Sequence, residues 1–159
     1  MFIYFIYKQE ITDYINEQRV LNSYTYDTKT VSVIAQTKGG SSYVLTKFIS
    51  QISDTDSKRE LGLSFRKSLE KDKGMLFVFP NIVSGGFWMK DMKFNLDILF
   101  IDSNYKIIKI FRQLPPCTQD LSTCLSYSPG TSYQYVLEIN GGLSESLGIS
   151  EGQKISFPN

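Results

Sequence analysis

The sequence predicts an α+β domain with a mostly antiparallel, partly closed β-sheet of about seven strands and two or three short helices. Two observations support this fold class. Runs of strand length, rich in β-branched and aromatic residues, alternate with segments rich in Gly, Pro, Asn and Ser. Aromatic residues make up 14% of the chain, and such side chains favour half-buried sheet surfaces. With 159 residues, the chain is long enough to bury the core of one domain.

Residues 1–30 are expected to form an N-terminal arm followed by a linker. The first seven residues are apolar but too few to span a bilayer. They are either the remnant of a longer membrane anchor, which would tether the protein, or a short element packed on the domain. Ile11, Tyr14 and Ile15 recur at helical spacing and predict a short amphipathic helix over 11–21. The single globular domain is therefore expected to span residues 31–159.

The globular part is expected to begin with a hairpin and a short helix. Strands are predicted over 31–36 and 43–49, on either side of a turn at Gly39 and Gly40. Ser53 followed by Asp56 resembles a capping box, so we expect a helix over 54–61.

The remaining elements are mostly strands. Alternation and flanking turn residues predict strands over 74–80, 87–92, 96–102, 105–112, 133–140 and 154–157. A helical turn or two is expected over 142–147, ended by Gly148.

The charge and composition exclude several classes of function. Lys plus Arg exceeds Asp plus Glu by only one, so no strong field exists to hold a nucleic acid, and none is expected as a partner. The chain has no His, which removes His-activated nucleophiles and the commonest zinc ligand. It also lacks a phosphate-binding Gly-Lys loop and a dinucleotide fingerprint, so no cofactor is expected.

Two cysteines, Cys117 and Cys124, lie in a Pro- and Ser-rich segment that indicates a loop. A disulfide between them would stabilise that loop by about 2.5 kcal/mol. We expect the disulfide if the protein is exported and two free thiols if it stays in a reducing cytosol. No metal site is expected, because a third Cys or a His to complete a zinc shell is missing.

An aromatic and charged cleft is the leading candidate for a binding site. Trp88 and Lys90 share one face of the predicted strand 87–92 and would offer a flat apolar surface beside an ammonium group. Arg66 and Asp97 are expected to join them. In the structural alternative, Trp88 is ordinary core and Lys90 its neighbour.

Two carboxylates are candidates for catalysis. Asp97 shares a strand face with Leu99, so it is either half-buried and held by Arg66, Lys90 or loop N–H groups, or part of a cleft. Glu138 either lies on a solvated face or converges with Asp97 as an acid and base pair able to cleave a glycosidic bond.

The segment 113–132 is longer than most loops of a compact domain, and such loops tend to be functional or disordered. Its prolines and cysteines argue against disorder. Tyr127 within it either folds over a cleft as a lid or packs on the domain.

Several sequence blocks, in their order, resemble the domain-of-unknown-function family 192. These blocks are Gly62–Arg66, Gly74–Pro80, Phe87–Met92, Leu96–Ile98 with Phe100–Asp102, Pro115–Cys117, Tyr135–Asn140 and Leu147–Gly148. The resemblance covers roughly residues 31–157. It implies a compact α+β fold and frequent extracytoplasmic placement behind an N-terminal anchor, with no established activity, cofactor or catalytic residue. Asn95 and Gln153 depart from the family pattern, which often has Pro and Asp at these positions.

Three functions follow as expectations. The first is a non-enzymatic, extracytoplasmic or cell-surface domain that binds a small molecule, glycan or protein through the cleft. The second is a small hydrolase that uses Asp97 and Glu138 on glycans. The third is a structural protein-interaction domain whose aromatic residues are all core.

Overall fold

The computed structural model describes residues 2–117 and 124–158, with side chains from Gln9 onward. Over these residues the chain forms three helices, α1 (Phe2–Asn22), α2 (Asp56–Leu61) and α3 (Leu143–Ser146). The strands in the same residues are β1 (Thr28–Gln36), β2 (Ser42–Ser53), β3 (Lys73–Val83), β4 (Phe87–Trp88), β5 (Leu96–Ile101), β6 (Ile107–Leu114), β7 (Ser126–Tyr127), β8 (Tyr133–Asn140) and β9 (Lys154–Ser156). The α+β class is confirmed.

Seven of these strands form one mixed sheet in the order β6-β5-β8-β3-β2-β1-β9. Strands β2 and β3 run parallel, whereas the other neighbours in this sheet are antiparallel. The sheet is not closed, and the expected partial closure amounts to a local contact between its two outer edges. Strand β9 has three residues and pairs with β1. Lys106, just before β6, forms an isolated bridge with Lys154, and the N–H groups of Ile107 and Ile155 donate to the Gln153 and Tyr105 carbonyl oxygens.

Both faces of the sheet are covered, and each carries its own apolar core. One core joins buried residues of strands β1 to β3, β5, β6, β8 and β9 with Ile149 after α3. The second core lies on the opposite face of β3, β5 and β8 and includes Leu63, Met89 and Met92 from the connecting segments. The candidate site is built on this second face.

Most predicted elements are present, with shifted ends. Strand β8 has the predicted bounds, and β5 ends one residue early. Helix α1 is longer than expected because it begins at Phe2, and β1 begins at Thr28, within the segment expected to be linker. Helix α2 is capped by the Thr55 side chain, which accepts a hydrogen bond from the Lys58 N–H, rather than by Ser53. No helix of the described residues is long and apolar enough to cross a membrane.

The predicted strand 87–92 is the main error in secondary structure. Strand β4 ends at Trp88, and Asp91 has a left-handed φ of 57°, which breaks the alternation. Strand β4 pairs instead with the unpredicted β7, where Phe87 lies opposite Tyr127. Gly86 permits this approach, since a Cβ there would lie 2.8 Å from the Tyr127 carbonyl oxygen.

Candidate functional site

A cleft of about 350 Å³ opens between α2 and β4 on the second face of the sheet. We call it the aromatic cleft, because five of its lining residues carry aromatic rings: Phe77, Phe79, Phe87, Trp88 and Tyr133. Strands β3 and β8 supply three of the five rings, and β4 supplies the other two. The volume lies within the range of about 300–1,000 Å³ that is usual for small-molecule sites.

The aromatic rings of the cleft pack edge to face. Phe87 lies at the centre, with ring centroids 4.9 Å from Phe77, 6.5 Å from Phe79 and 6.4 Å from Tyr133. Such pairs stabilise beyond the area they bury. The aromatic walls are therefore held in place by one another before any ligand arrives.

Glu138 lies on the sheet side of this cleft, in the interior strand β8. Its neighbours across the sheet are Met75 on β3 and Ile98 on β5, and the residue is only 5% exposed. The expectation of a solvated strand face at Glu138 is therefore wrong. The neighbouring polar side chains of this face, Gln134 and Asn140, donate hydrogen bonds to the Phe79 and Leu69 carbonyl oxygens.

The Glu138 carboxyl differs from those amides because it forms no hydrogen bond with any residue in the described part of the chain. Burial raises the pKa of this carboxyl to about 8, and the nearby Arg66 guanidinium offsets part of that rise. Buried polar groups in native proteins are nearly always hydrogen-bonded, so an unpartnered carboxyl at a cleft is typical of a functional group.

Arg66 lies behind Glu138 rather than in the aromatic cleft. It lines a second cavity of about 370 Å³ together with Gln51 and Lys73, and its guanidinium lies 5.6 Å from the Tyr26 ring centroid. Burial lowers the pKa of Arg66, while Tyr26 and Glu138 act in the opposite direction. Among the described residues, no acceptor is in hydrogen-bond geometry with its buried Nε.

Helix α2 supplies the charged rim of the aromatic cleft. The Arg59 guanidinium is bound to Asp56 at 2.7 Å and to the Val78 carbonyl oxygen at 2.7 Å, and it lies 5.1 Å from the Phe79 ring centroid. Glu60 is exposed on the same rim. The rim thus presents both charge signs, with the cation already paired.

The structure brings Trp88 and Lys90 together, although not on one strand face. Trp88 is 55% exposed at the mouth of the aromatic cleft, and the Lys90 Nζ lies 5.7 Å from its ring centroid. Both residues also line an adjoining cavity with Tyr24 and Asp91. Met92, at the end of the predicted strand, is buried.

Asp97 does not belong to the cleft. It lies opposite Ile139 on β8, so it points to the other face of the sheet from Glu138, and it is fully buried. Its two oxygens accept hydrogen bonds from the N–H groups of Gln113 (2.7 Å), Gly142 (2.8 Å) and Ser144 (2.8 Å). The expected convergence of Asp97 and Glu138 as a catalytic pair is therefore wrong. Loop N–H groups hold Asp97, which was one of the structural alternatives.

Tyr127 packs on the domain rather than over the cleft. On β7 it pairs with Phe87, and its ring centroid lies 5.5 Å from that of Phe111. Cys117 and Cys124 form a disulfide, with their Cα atoms 5.7 Å apart. The Cys117 N–H donates to the Met89 carbonyl oxygen, which ties the disulfide to the segment that follows Trp88.

Sequence reasoning missed most of the cleft. Phe77, Phe79, Tyr133 and the α2 rim were not among the predicted site residues. A usable signal existed in the alternation of Phe77 and Phe79 along β3, which places two rings on the face that also carries Glu138. That signal is ambiguous in a sequence, because ordinary core strands show the same pattern.

Two solved structures are similar to this chain. One, from Sinorhizobium meliloti 1021, is named only provisionally as a transcription regulator; it is 28% identical, with a TM-score of 0.70 over 84% of this chain and 96% of that chain. The other, a protein of unknown function from Novosphingobium aromaticivorans DSM 12444, is 30% identical, with a TM-score of 0.65 over 81% of this chain and 84% of that chain. No curated protein matches the sequence. The profile of the domain-of-unknown-function family 192, described as "Uncharacterized ACR", matches residues 33–157, so the chain belongs to that family.

Proposed function

We propose that this protein is an extracytoplasmic binding module that holds a small ligand in the aromatic cleft. The observation that carries the proposal is the Glu138 carboxyl, which is buried, lines the cleft and has no hydrogen-bond partner among the described residues. A ligand group that donates a hydrogen bond to this carboxyl would form a charge-assisted bond in a largely water-excluded place, and such bonds contribute about 1.5–3 kcal/mol.

The shape of the cleft supports a ligand with an apolar or ring-shaped body. Five of the fifteen lining residues are aromatic, and Trp88 stands exposed at the mouth, where it can close over a bound ring. The polar groups include Glu138 inside the cleft and Glu60 on the rim. Apolar walls with polar groups at fixed places are typical of small-molecule sites.

The placement outside the cytoplasm rests on the cysteine pair. A disulfide between Cys117 and Cys124 persists in oxidising compartments and is rare in a reducing cytosol. The disulfide lies beside the segment that follows Trp88, so it restrains the chain next to the mouth of the cleft.

A thermal-shift screen of the purified protein tests the binding function. The panel contains glycans, peptidoglycan fragments, nucleotides, carboxylic acids and amines. A ligand at a hundred times its Kd adds about 2.7 kcal/mol, which raises the Tm of a domain of this size by roughly 5–11 °C. We expect at least one class to give such a shift in the wild type.

A matched pair of variants locates the bound ligand. Trp88→Ala removes a 55% exposed ring at the cleft, and Tyr43→Ala removes a 48% exposed ring on β2. The shift should shrink with Trp88→Ala and remain with Tyr43→Ala. A shift that survives Trp88→Ala unchanged places the ligand elsewhere, and a panel without any shift favours the structural protein-interaction role over ligand binding.

A further inference from the structure

The charges that line the aromatic cleft are mostly negative. Its charged residues are Asp56, Arg59, Glu60 and Glu138, three carboxylates against one cation. Arg59 is already bound to Asp56 at 2.7 Å. Among the described residues, neither Glu60 nor Glu138 takes part in an ion pair. Glu60 is therefore uncompensated, and Glu138 adds a second negative charge to the cleft whenever its carboxyl is ionised.

The aromatic rings of the cleft attract cations, and two cationic side chains of the protein already lie against them. The Arg59 guanidinium lies 5.1 Å from the Phe79 ring centroid, and the Lys90 ammonium lies 5.7 Å from that of Trp88. Both distances fall within the limit of about 6 Å at which the ring quadrupole attracts a positive charge. Phe77, Phe87 and Tyr133 line the same cleft without a protein cation near their rings among the described residues.

Besides Lys90, which forms an ion pair with Asp91 at 3.8 Å, the positive group to be weighed against this arrangement is Arg66. It lies outside the aromatic cleft and lines the second cavity, where its guanidinium faces Tyr26. Its attraction for Glu138 partly offsets the effect of burial and so favours the ionised carboxylate. Arg66 therefore helps Glu138 to become the anion that a cationic ligand requires.

From the carboxylate inside the cleft and the aromatic rings around it, we infer that the ligand is a small organic ammonium compound. The inference rests on the proposed binding function and specifies its ligand class. The ammonium group would lie against the Glu138 carboxylate and the ring faces, and the rest of the molecule would extend toward Trp88 and Glu60.

Binding of a cation should depend on the ionisation of Glu138. Arg66, from the segment between α2 and β3, is the cation near this carboxyl. The titratable and charged groups that share the cleft with it are Tyr133 on its own strand and Asp56, Arg59 and Glu60 on α2. Burial raises the pKa of Tyr133 further above 10, so this phenol stays neutral between pH 6 and 9. Since the pKa of Glu138 is about 8, a cation should bind up to about tenfold more tightly per pH unit until the carboxyl is ionised.

Three probes of one shape and different charge test the inference: choline, its uncharged carbon isostere 3,3-dimethylbutan-1-ol, and 3,3-dimethylbutanoate. Isothermal titration calorimetry measures their Kd values at pH 6, 7 and 8.5. We expect choline to bind best, with its Kd falling at least tenfold from pH 6 to 8.5. Titrations at pH 7 in buffers of different ionisation enthalpy should show release of nearly one proton per choline bound.

Variants separate the role of Glu138 from a general charge effect. Glu138→Gln should weaken choline at pH 8.5 by at least tenfold and remove its pH dependence. Glu145→Gln, an exposed carboxylate on α3, should change neither. The pH profile and proton release of the wild type remain decisive if Glu138→Gln folds poorly.

The outcomes also distinguish the ligand class from the binding function. Tighter binding of the alcohol or the carboxylate than of choline, or a choline Kd that does not change with pH, overturns the ammonium inference. A Trp88-dependent shift with a neutral or anionic ligand in the wider screen would still support the cleft as a binding site. Failure of every ligand in both experiments rejects the two proposals together.

Discussion

Two carboxylates buried in neighbouring strands of this sheet have opposite environments. Asp97 on β5 meets three backbone N–H groups, which satisfy its negative charge. Glu138 on β8 meets aromatic rings and no hydrogen-bond donor of the described residues. Backbone donors stabilise an ionised carboxylate, whereas apolar surroundings favour the neutral acid. We therefore assign Asp97 to the stability of the fold and Glu138 to the cleft.

Asp97→Asn should destabilise the protein by about 3 kcal/mol. The asparagine oxygen can accept only part of the three hydrogen bonds, and its NH₂ group then faces a buried N–H donor such as that of Ser144. The free energy of unfolding in urea measures the loss. Asp102→Asn is the matched control, because a single oxygen of Asp102 accepts both of its N–H bonds at a more exposed turn, and asparagine can keep them. Equal stability of the two variants would contradict the structural role of Asp97.

Glu138 should make the protein less stable as the pH rises. Its pKa is about 8 in the folded state, against 4.5 for an ordinary glutamate, so between these values the folded state binds more protons than the unfolded state. Stability is then fully present below pH 4.5, falls by up to about 1.4 kcal/mol per pH unit, and levels off above pH 8.

Urea unfolding of the wild type and Glu138→Gln between pH 5 and 9 measures this effect. The variant has no carboxyl to ionise, so its stability relative to the wild type should increase across the window. Glu60→Gln, which changes an exposed carboxylate at the same cleft, should follow the wild type. A constant difference between Glu138→Gln and the wild type would show that Glu138 is already ionised in the folded protein.

At the residue scale, the sequence located part of the candidate site. Trp88 and Glu138 could be selected because an indole and a carboxylate within apolar blocks are uncommon, whereas Arg66, selected with them, lines the second cavity. The pairing of Asp97 with Glu138 could not be tested in the sequence, because the strand register decides which residues share a face. In the structure Ile98, not Asp97, lies opposite Glu138.

At the scale of elements, the short ribbon of β4 and β7 joins the cleft to the disulfide. Phe87 and Trp88 on β4 line the cleft, and β7 follows Cys124 by two residues. Cys117, the other half of the disulfide, is bridged to Lys90. The ribbon is thus fixed from both sides, although a two-residue strand pair has little stability of its own.

Loss of the disulfide should lower the Tm by about 5–10 °C. The two cysteines are seven residues apart, and opening a loop of this size costs about 2.5 kcal/mol in the chain-entropy account. Calorimetry with and without a reductant measures the change. The double variant Cys117→Ser with Cys124→Ser should have the Tm of the reduced wild type, and its Tm should not change when the reductant is added. A Tm that does not move on verified reduction would contradict the stabilising role.

Individual strands were easier to predict than their arrangement. The bounds of β8 and β5 follow from local patterns of apolar residues between turn signals, and such patterns are visible in the sequence. The parallel pairing of β2 with β3 and the two-residue β7 depend on contacts between distant segments. The early end of β4 could not be predicted from the sequence either, because Asp91 adopts a positive φ that its residue type does not require.

At the scale of the whole molecule, the two faces of the open sheet differ, because the aromatic cleft lies on only one of them. The core on one face packs strands of the sheet against the segment around Ile149, and Asp97 anchors the loop that leads into α3 there. The opposite face is covered by α2, β4 and their connecting segments, which leave the aromatic cleft between them. Substitutions of exposed cleft residues such as Trp88 and Glu60 should therefore alter binding with smaller effects on stability than substitutions in either core.

Helix α1 should contribute little to the stability of the globular part. Over residues 9–22 none of the described side chains is buried, and the contacts that reach the globular part include a partly exposed ion pair of Glu17 with Lys93 at 3.2 Å and Lys67 against the Tyr14 ring. Exposed contacts of these kinds contribute up to about 1 kcal/mol each. The segment that follows is different, because Tyr26 packs on the second core and the Asp27 carbonyl oxygen accepts a hydrogen bond from the Ile52 N–H.

Two truncations test this boundary by urea unfolding. A chain of residues 23–159 should lose less than about 2 kcal/mol, because only α1 is removed. A chain of residues 28–159 should lose clearly more, since it also lacks Tyr26 and Asp27 and exposes Arg66, the cation behind Glu138. Nearly equal losses for the two truncations, or failure of residues 23–159 to fold, would place α1 within the globular unit and move the start of the domain to the N-terminal helix.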